Sequence, residues 1–252
     1  MRFAFLGSGS AGNGLVVEAG ATRVLMDCGF GLADSVARLA RLGLAPDALA
    51  GIVVTHEHAD HIGGVGRLAR RHRLPVWLTA GTLAMAQDLD GVAVRVVDSH
   101  AALAIDGLEI QPYPVPHDAR EPVQYVFGDG NRRLGVLTDA GCATPHIEAT
   151  LAGVDALVLE CNHDAAMLQN GPYPASLKRR VGGRFGHLEN GQAAALLAKL
   201  RHDRLQCVMA AHISLKNNTP ELACQALAGA LDCDTGEIRV ACQEAGFDWI
   251  EI

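Results

Sequence analysis

His56-Glu57-His58-Ala59-Asp60-His61 is the stretch that decides how this chain is read. Histidines two residues apart lie on one side of an extended segment, while Asp60 and His61 can turn toward a neighbouring position. One six-residue loop can therefore feed two cations. Imidazole and carboxylate donors without a thiolate suit Zn²⁺, Mn²⁺ or Fe, and a catalytic Zn²⁺ keeps one coordination position open. The loop directly follows the apolar run from Gly51 to Thr55, a buried strand by composition, and precedes Gly63-Gly64.

Outward from the loop, β-rich runs alternate with Ala/Leu-rich helical stretches, and no linker interrupts them. Leu15 to Ala19 and Arg23 to Met26 are strand-like, Asp34 to Leu42 and His61 to His72 are helical, and Pro75 to Thr79, Val92 to Val97 and Leu108 to Val115 are further strands. The second half echoes the first. Arg133-Leu134-Gly135-Val136-Leu137-Thr138-Asp139-Ala140-Gly141 parallels Thr22-Arg23-Val24-Leu25-Met26-Asp27-Cys28-Gly29, each a strand ending in Asp-x-Gly. A helix-length segment follows each, then an apolar strand ending beside His56 or His163. The pattern predicts an α/β architecture of two related halves, each a sheet backed by helices, with strand ends meeting at one cleft. A single domain over residues 1–252 is expected at this length.

Composition narrows the class. No apolar run approaches the ~20 residues of a membrane span, so no membrane partner is expected, and Met1 to Leu6 is too short an apolar stretch for a signal peptide. Seven cysteines, scattered and without a CxxC pair, argue against a disulfide framework and place the chain in the cytoplasm. A net charge of −7 gives no global basic footprint for nucleic acid, though bound cations would add local positive charge.

The histidine loop resembles the HxHxDH hallmark of the metallo-β-lactamase superfamily, and the resemblance runs along essentially the whole chain. It implies the αββα sandwich and a pair of divalent metal ions, Zn²⁺ foremost with Mn²⁺ or Fe as alternatives. His117 in Val115-Pro116-His117-Asp118 matches the third ligand of a first metal beside His56 and His58. Asp139 matches the bridging carboxylate, and His212 in Ala210-Ala211-His212-Ile213-Ser214 the last ligand of a second metal beside Asp60 and His61. Asp27 matches an early aspartate that braces the histidine loop without binding metal. Such a site implies a bridging water acidified toward hydroxide, and cations that neutralise substrate charge.

Class B β-lactamases often carry cysteine where Asp139 stands, and glyoxalase II has a C-terminal helical domain for which the forty or so residues after His212 leave little room. The phosphodiesterase and nuclease branch, including tRNase Z, is the better resemblance. Its Glu and His pair is matched by Glu160 in Leu159-Glu160-Cys161-Asn162-His163-Asp164 and His187 in Phe185-Gly186-His187-Leu188-Glu189-Asn190. His187 is then a general acid for the leaving oxygen and Glu160 its orienter, and turnover is expected to rest on Asp60, His187 and Glu160. The long arm by which tRNase Z grips tRNA is missing between His117 and Asp139.

Phe5-Leu6-Gly7-Ser8-Gly9-Ser10-Ala11-Gly12-Asn13, Asn162-His163-Asp164, Gly171-Pro172-Tyr173-Pro174, Leu177-Lys178-Arg179-Arg180 and Asn217-Asn218-Thr219-Pro220 resemble the YycJ/WalJ-type subgroup. That resemblance implies 5′ to 3′ exonuclease activity, with DNA as partner. Glu189 departs from the subgroup's usual Ser, and an acid there opposes phosphate. Lys178, Arg179 and Arg180 are candidates for a phosphate backbone, Ser214, Asn217 and Asn218 for neutral hydrogen bonds to phosphate, and His163 for the cleft edge without being a ligand. Thr219 before Pro220 equally fits a helix cap. Two rival readings stay open: a small-molecule hydrolase acting on a cyclic phosphodiester or thioester, and a non-catalytic metal-binding regulatory module. Homo-oligomerisation is compatible with the sequence and not specified by it.

Overall fold

The computed structural model describes residues 1–252. Its strands form where apolar and β-branched residues run between glycine, aspartate and proline turns. They are β1 (Arg2–Gly7), β2 (Gly14–Ala19), β3 (Thr22–Met26), β4 (Gly51–Val53), β5 (Val76–Thr79), β6 (Val94–Val97), β7 (Leu103–Ile105), β8 (Leu108–Pro114), β9 (Val123–Gly128), β10 (Arg133–Leu137), β11 (Ala156–Glu160), β12 (Cys207–Ala211), β13 (Arg239–Val240) and β14 (Phe247–Glu251). The helices are α1 (Leu32–Arg41), α2 (Ala59–Ile62), α3 (Val65–His72), α4 (Ala80–Met85), α5 (Pro145–Leu151), α6 (Ala165–Asn170), α7 (Ala175–Val181), α8 (Asn190–Leu200) and α9 (Pro220–Leu231).

Two seven-stranded sheets result, ordered β14-β1-β2-β3-β4-β5-β6 and β13-β12-β11-β10-β9-β8-β7. The internal echo in the sequence is an echo of topology. Strands β1-β2-β3 and β8-β9-β10 are antiparallel, and each set continues in parallel, through β4-β5-β6 and β11-β12-β13. Strand β4 ends two residues before the apolar run does, because the Thr55 N–H is taken by the Asp27 carboxylate at 2.8 Å.

Alternation along the strands builds the layers. Val24 and Met26 face one core between the sheets, together with Tyr125, Phe127, Val136 and Val158, while Leu25 faces α1 and α3. On the second sheet Leu137, Leu157 and Leu159 face α5, α8 and α9. Each such Val or Leu contributes about 1.5–3 kcal/mol on leaving water. This is the αββα sandwich that the repeat and the superfamily resemblance imply. Tyr125 donates from its hydroxyl to the Val54 carbonyl at 2.7 Å, and the Val123 N–H to the Thr55 carbonyl at 3.1 Å. The second sheet is thus pinned to the chain just before His56. No helix is long and apolar enough to cross a membrane.

Candidate active site

The histidine loop is held from behind by the turn after β3. Asp27, fully buried, accepts from the Thr55 N–H and hydroxyl at 2.8 Å each and meets His61 Nδ1 at 2.8 Å. Backbone bonds lace the same turn to the loop: Cys28 N–H to the His61 carbonyl at 2.7 Å, and Gly64 N–H to the Cys28 carbonyl at 2.7 Å. Gly29 completes the fit, since a Cβ there would overlap the Asp60 carbonyl. The matching Gly141 lies where a Cβ would strike the backbone of Arg184 and Gly186. Close approach explains the glycine of both Asp-x-Gly motifs. Asp27, Asp139 and His212 each follow a strand end with left-handed backbone, at φ 60°, 55° and 54°. Non-glycine residues adopt that conformation seldom and at a cost, and it recurs at functional sites.

Four groups of side chains bring donor atoms close enough to hold a cation: His56, His58 and His117; Asp60, His61 and His212; His56, His61 and Asp139; and Asp139, Glu160, His187 and His212. His58 Nδ1 lies 3.0 Å from His56 Nε2 and 3.3 Å from His117 Nε2. His61 Nε2 lies 3.5 Å from Asp60 Oδ2 and 3.3 Å from Asp139 Oδ2, and His212 Nε2 lies 3.5 Å from Asp139 Oδ1. Asp139 therefore stands between two three-residue clusters. The inner nitrogens are aimed by partners on the outer ones: Thr55 Oγ1 at His56 Nδ1, the Gly186 carbonyl at His117 Nδ1, and Glu160 Oε1 at His212 Nδ1, at 2.9, 3.0 and 3.1 Å.

The cluster's own electrostatics favour cations at its centre. Asp139 Oδ2 and His212 Nε2 are buried without a hydrogen-bond partner, an expensive arrangement for polar atoms unless something else engages them. Burial opposes charge on His212, yet Asp139, Asp60 and Glu160 outweigh it and raise its pKa to about 10. His61 is likewise pushed up against its burial by Asp139 and Asp27. With protons as the sole source of positive charge, the carboxylates draw them onto two histidines, and divalent cations satisfy the same demand. The donor set fits a metal pair.

Opposite these groups stands His187, whose Nδ1 meets Glu160 Oε1 at 2.8 Å and whose Nε2 makes no hydrogen bond. Burial lowers the His187 pKa, but Glu160 and Asp139 reverse the effect and the net shift is upward. The other Glu160 oxygen accepts from the Ala140 and Leu188 N–H groups at 3.1 and 3.0 Å. His187 does not cap α8; Glu189 does, its side chain accepting from the helix backbone while Gln192 reaches back to the Glu189 N–H. The departure from Ser at this position thus keeps a capping side chain. A cavity of about 410 Å³ opens over Asp60, Asp139, His187 and His212, with Arg180 on its wall. There the Arg180 Nε meets Asp118 Oδ2 at 2.5 Å, and Asp118 Oδ1 lies 3.5 Å from His117 Nε2.

Other sequence candidates lie elsewhere. Ser214, Asn217 and Asn218 are buried within their own segment and not on this cavity. The Ser214 hydroxyl accepts from the Asn217 N–H at 3.2 Å, and Asn218 pairs reciprocally with Asn190 at 2.8 and 2.9 Å and donates to the Cys161 carbonyl at 2.7 Å. The phosphate contact expected of them is not placed at this cavity: Ser214 and Asn218 are engaged within the protein, Asn217 Oδ1 is buried without a partner, and Thr219 takes the capping alternative, accepting from Leu222 N–H. Lys178, Arg179 and His163 line a different cavity. Sequence reasoning gave no role to Asn13, whose amide lies 3.3 Å from Asp60 Oδ2 and 3.1 Å from His61 Nε2, or to Ser8, which accepts from the His212 N–H at 2.9 Å. The glycine- and serine-rich stretch from Gly7 to Asn13 is the signal that marks both.

These features define a class before they define a relative. The chain belongs to the β-lactamase superfamily, whose domain matches residues 22–213, and is a metal-dependent hydrolase of the metallo-β-lactamase fold. Within it, the chain is similar to the exodeoxyribonuclease YycJ of Bacillus anthracis, 36% identical over 236 residues that cover 92% of this chain and 89% of that protein. It is also similar to the exodeoxyribonuclease WalJ of Streptococcus pneumoniae serotype 2, 29% identical with 88% and 85% covered. The crystal structure of YhfI, a metallo-β-lactamase fold protein from Bacillus subtilis, shares the fold across 100% of this chain and 99% of that one, with a TM-score of 0.79 at 16% identity.

Proposed function

We propose that this chain is a dinuclear metal-dependent phosphodiesterase acting as an exonuclease on DNA. The observation that carries the reading is the Glu160–His187 pair: an imidazole oriented through Nδ1, with Nε2 free at the cavity that holds the donor cluster. His56, His58 and His117 hold one ion, Asp60, His61 and His212 the other, and Asp139 faces both. Zn²⁺ suits these donors best, with Mn²⁺ or Fe as alternatives. When bound, the cations acidify a water and neutralise charge on the phosphate.

The protein's own part is orientation and proton transfer. Glu160 fixes the His187 ring and stabilises its protonated form, so that Nε2–H can be given to the departing alkoxide, a poor leaving group without it. Arg180, held over the cavity by Asp118, offers a guanidinium to a phosphate oxygen. Asp27 and Thr55 act behind the ligands by fixing His61 and His56. The similarity to proteins named exodeoxyribonucleases over nearly the whole chain supports DNA over other diesters.

The test is to supply the purified protein with Mn²⁺ or Zn²⁺ and offer 5′-phosphorylated single- and double-stranded DNA, RNA, a chromogenic phosphodiester, a lactam and a thioester. Cleavage of DNA from the 5′ end is expected. Turnover of the lactam or thioester alone would overturn the reading.

A further inference from the structure

Helix α7 divides the basic stretch Lys178-Arg179-Arg180 between two cavities. Arg180, with Leu177 and Val181, faces the cavity over the donor cluster. Lys178 and Arg179, with Gly182, face a second cavity of about 510 Å³ on the other side of the helix. The partition is firmly seated, because the His187 N–H bonds to the Val181 carbonyl at 2.8 Å and a Cβ on Gly186 would overlap the last carbonyls of α7.

The second cavity is made from the same two segments that carry the catalytic pair. His163, three residues after Glu160, bridges in parallel to Glu189, two residues after His187. The His163 ring, 3% exposed, lines the cavity. Its Nδ1 lies 3.3 Å from Asn162 Oδ1, which must accept because Asn162 Nδ2 donates to the His212 carbonyl. The remaining nitrogen, Nε2, has no partner and lies beside Gly182, 3.8 Å from where a Cβ there would sit. On a neutral ring with its proton on Nδ1, Nε2 is an acceptor. The cavity therefore pairs two cations with an acceptor on its wall and the apolar side of Leu168. Glu189 on its rim is committed to the N-terminus of α8, where the helix amides offset its charge.

Two sites on opposite faces of one helix, about 10–12 Å across with its side chains, are not bridged by a single phosphate group. They suit a chain of nucleotides. We infer that the second cavity seats a nucleotide neighbouring the scissile phosphate of a polynucleotide strand that crosses α7, with Lys178 and Arg179 on its phosphate and His163 Nε2 accepting from its base. This rests on the phosphodiesterase reading and makes the second cavity the element that favours a strand over a small diester.

The experiment compares wild type with the Lys178→Ala/Arg179→Ala double variant, both metal-loaded, on a 5′-phosphorylated DNA of about eight nucleotides and on a chromogenic phosphodiester. The ratio of oligonucleotide KM to small-diester KM is expected to rise about tenfold. The slope of log affinity against log salt, read by fluorescence anisotropy with the labelled oligonucleotide, is expected to fall by roughly 0.7 for each phosphate that the two side chains no longer neutralise. Restoring the charges with Lys178→Arg/Arg179→Lys recovers most of the affinity. An unchanged KM ratio together with an unchanged salt slope overturns the inference. The anisotropy arm needs no turnover, so failure of wild type to hydrolyse either diester overturns the phosphodiesterase reading and is told apart from failure of the cavity.

Discussion

Glu160 Oε1 lies 3.1 Å from His212 Nδ1, and the same oxygen meets His187 Nδ1 at 2.8 Å. One buried carboxylate thus serves both the proposed acid and a proposed metal ligand. Its two neighbours separate under mutation.

His187→Ala is expected to lower kcat by about 10²–10⁴ while bound metal, measured by elemental analysis of the purified protein, stays at the wild-type level. A matching loss of metal would make His187 a ligand and end its assignment as acid.

Glu160→Gln should damage both functions. Its amide nitrogen would face the Ala140 and Leu188 N–H donors or, if flipped, His187 and His212. Weaker metal binding by roughly 10–100-fold, seen in competition with a chromophoric chelator, is expected beside the loss of turnover. Wild-type metal affinity in this variant would show that Glu160 does not orient His212.

Asp27→Ala removes the acceptor for three hydrogen bonds and leaves Thr55 and His61 donors buried, at about 1–3 kcal/mol for each donor stranded. Metal affinity should fall by a similar 10–100-fold, and chelator-treated variant and wild type should still differ in urea midpoint. If they differ only when metal is present, Asp27 acts through the metal and not through the loop.

Gly29→Ala forces the Cys28 turn away from Asp60 and is expected to cost about 1–3 kcal/mol as an overpacking change. Gly229→Ala, inside α9 with open space at its Cβ, serves as the contrast and should stabilise by about 0.5–1 kcal/mol. Equal effects in thermal melts would mean that close approach is not why Gly29 is a glycine.

Acid sensitivity has one contribution far from the metal centre. Arg2 and Arg23 meet Glu18 at 2.6 and 2.5 Å. Burial raises the Glu18 pKa, but the two guanidinium groups overcome it and the folded value lies below the ordinary one. Stability from this cluster is complete above about pH 4.3 and is lost as pH falls through the lowered value. Glu18→Gln should cost about 1–2 kcal/mol at pH 7, and the gap to wild type in urea titrations should close toward pH 3. A gap independent of pH would show that packing, not charge, is what Glu18 supplies.

The fold is legible where its signals are local. Alternating apolar strands and the Asp-x-Gly echo lie within short windows, and their spacing follows from backbone geometry. The donor cluster is legible because the histidine loop supplies four of its residues at once, and the superfamily resemblance orders the rest. Direction of side chains is what short windows do not carry. Lys178, Arg179 and Arg180 read as one basic run, and the helix separates them. Asn217 and Asn218 read as polar residues near a strand end, and burial turns them inward. Asn13 reaches Asp60 and His61 across 47 and 48 positions, an approach that depends on β3 pairing with β2 on one side and β4 on the other.

The left-handed backbone at Asp27, Asp139 and His212 has an evolutionary consequence. Each of these residues occupies a bend that glycine or asparagine would relax into more comfortably, and two are acids packed among others. Asp27 offsets its bend with three buried hydrogen bonds, whereas Asp139 and His212 keep buried polar atoms without a partner, so a chain freed from selection for turnover would gain stability by discarding those two and not Asp27. Silent descendants of this fold are expected to drift first at Asp139 and His212, before Asp27 or the apolar layers change, so an intact pair is the mark of a working copy.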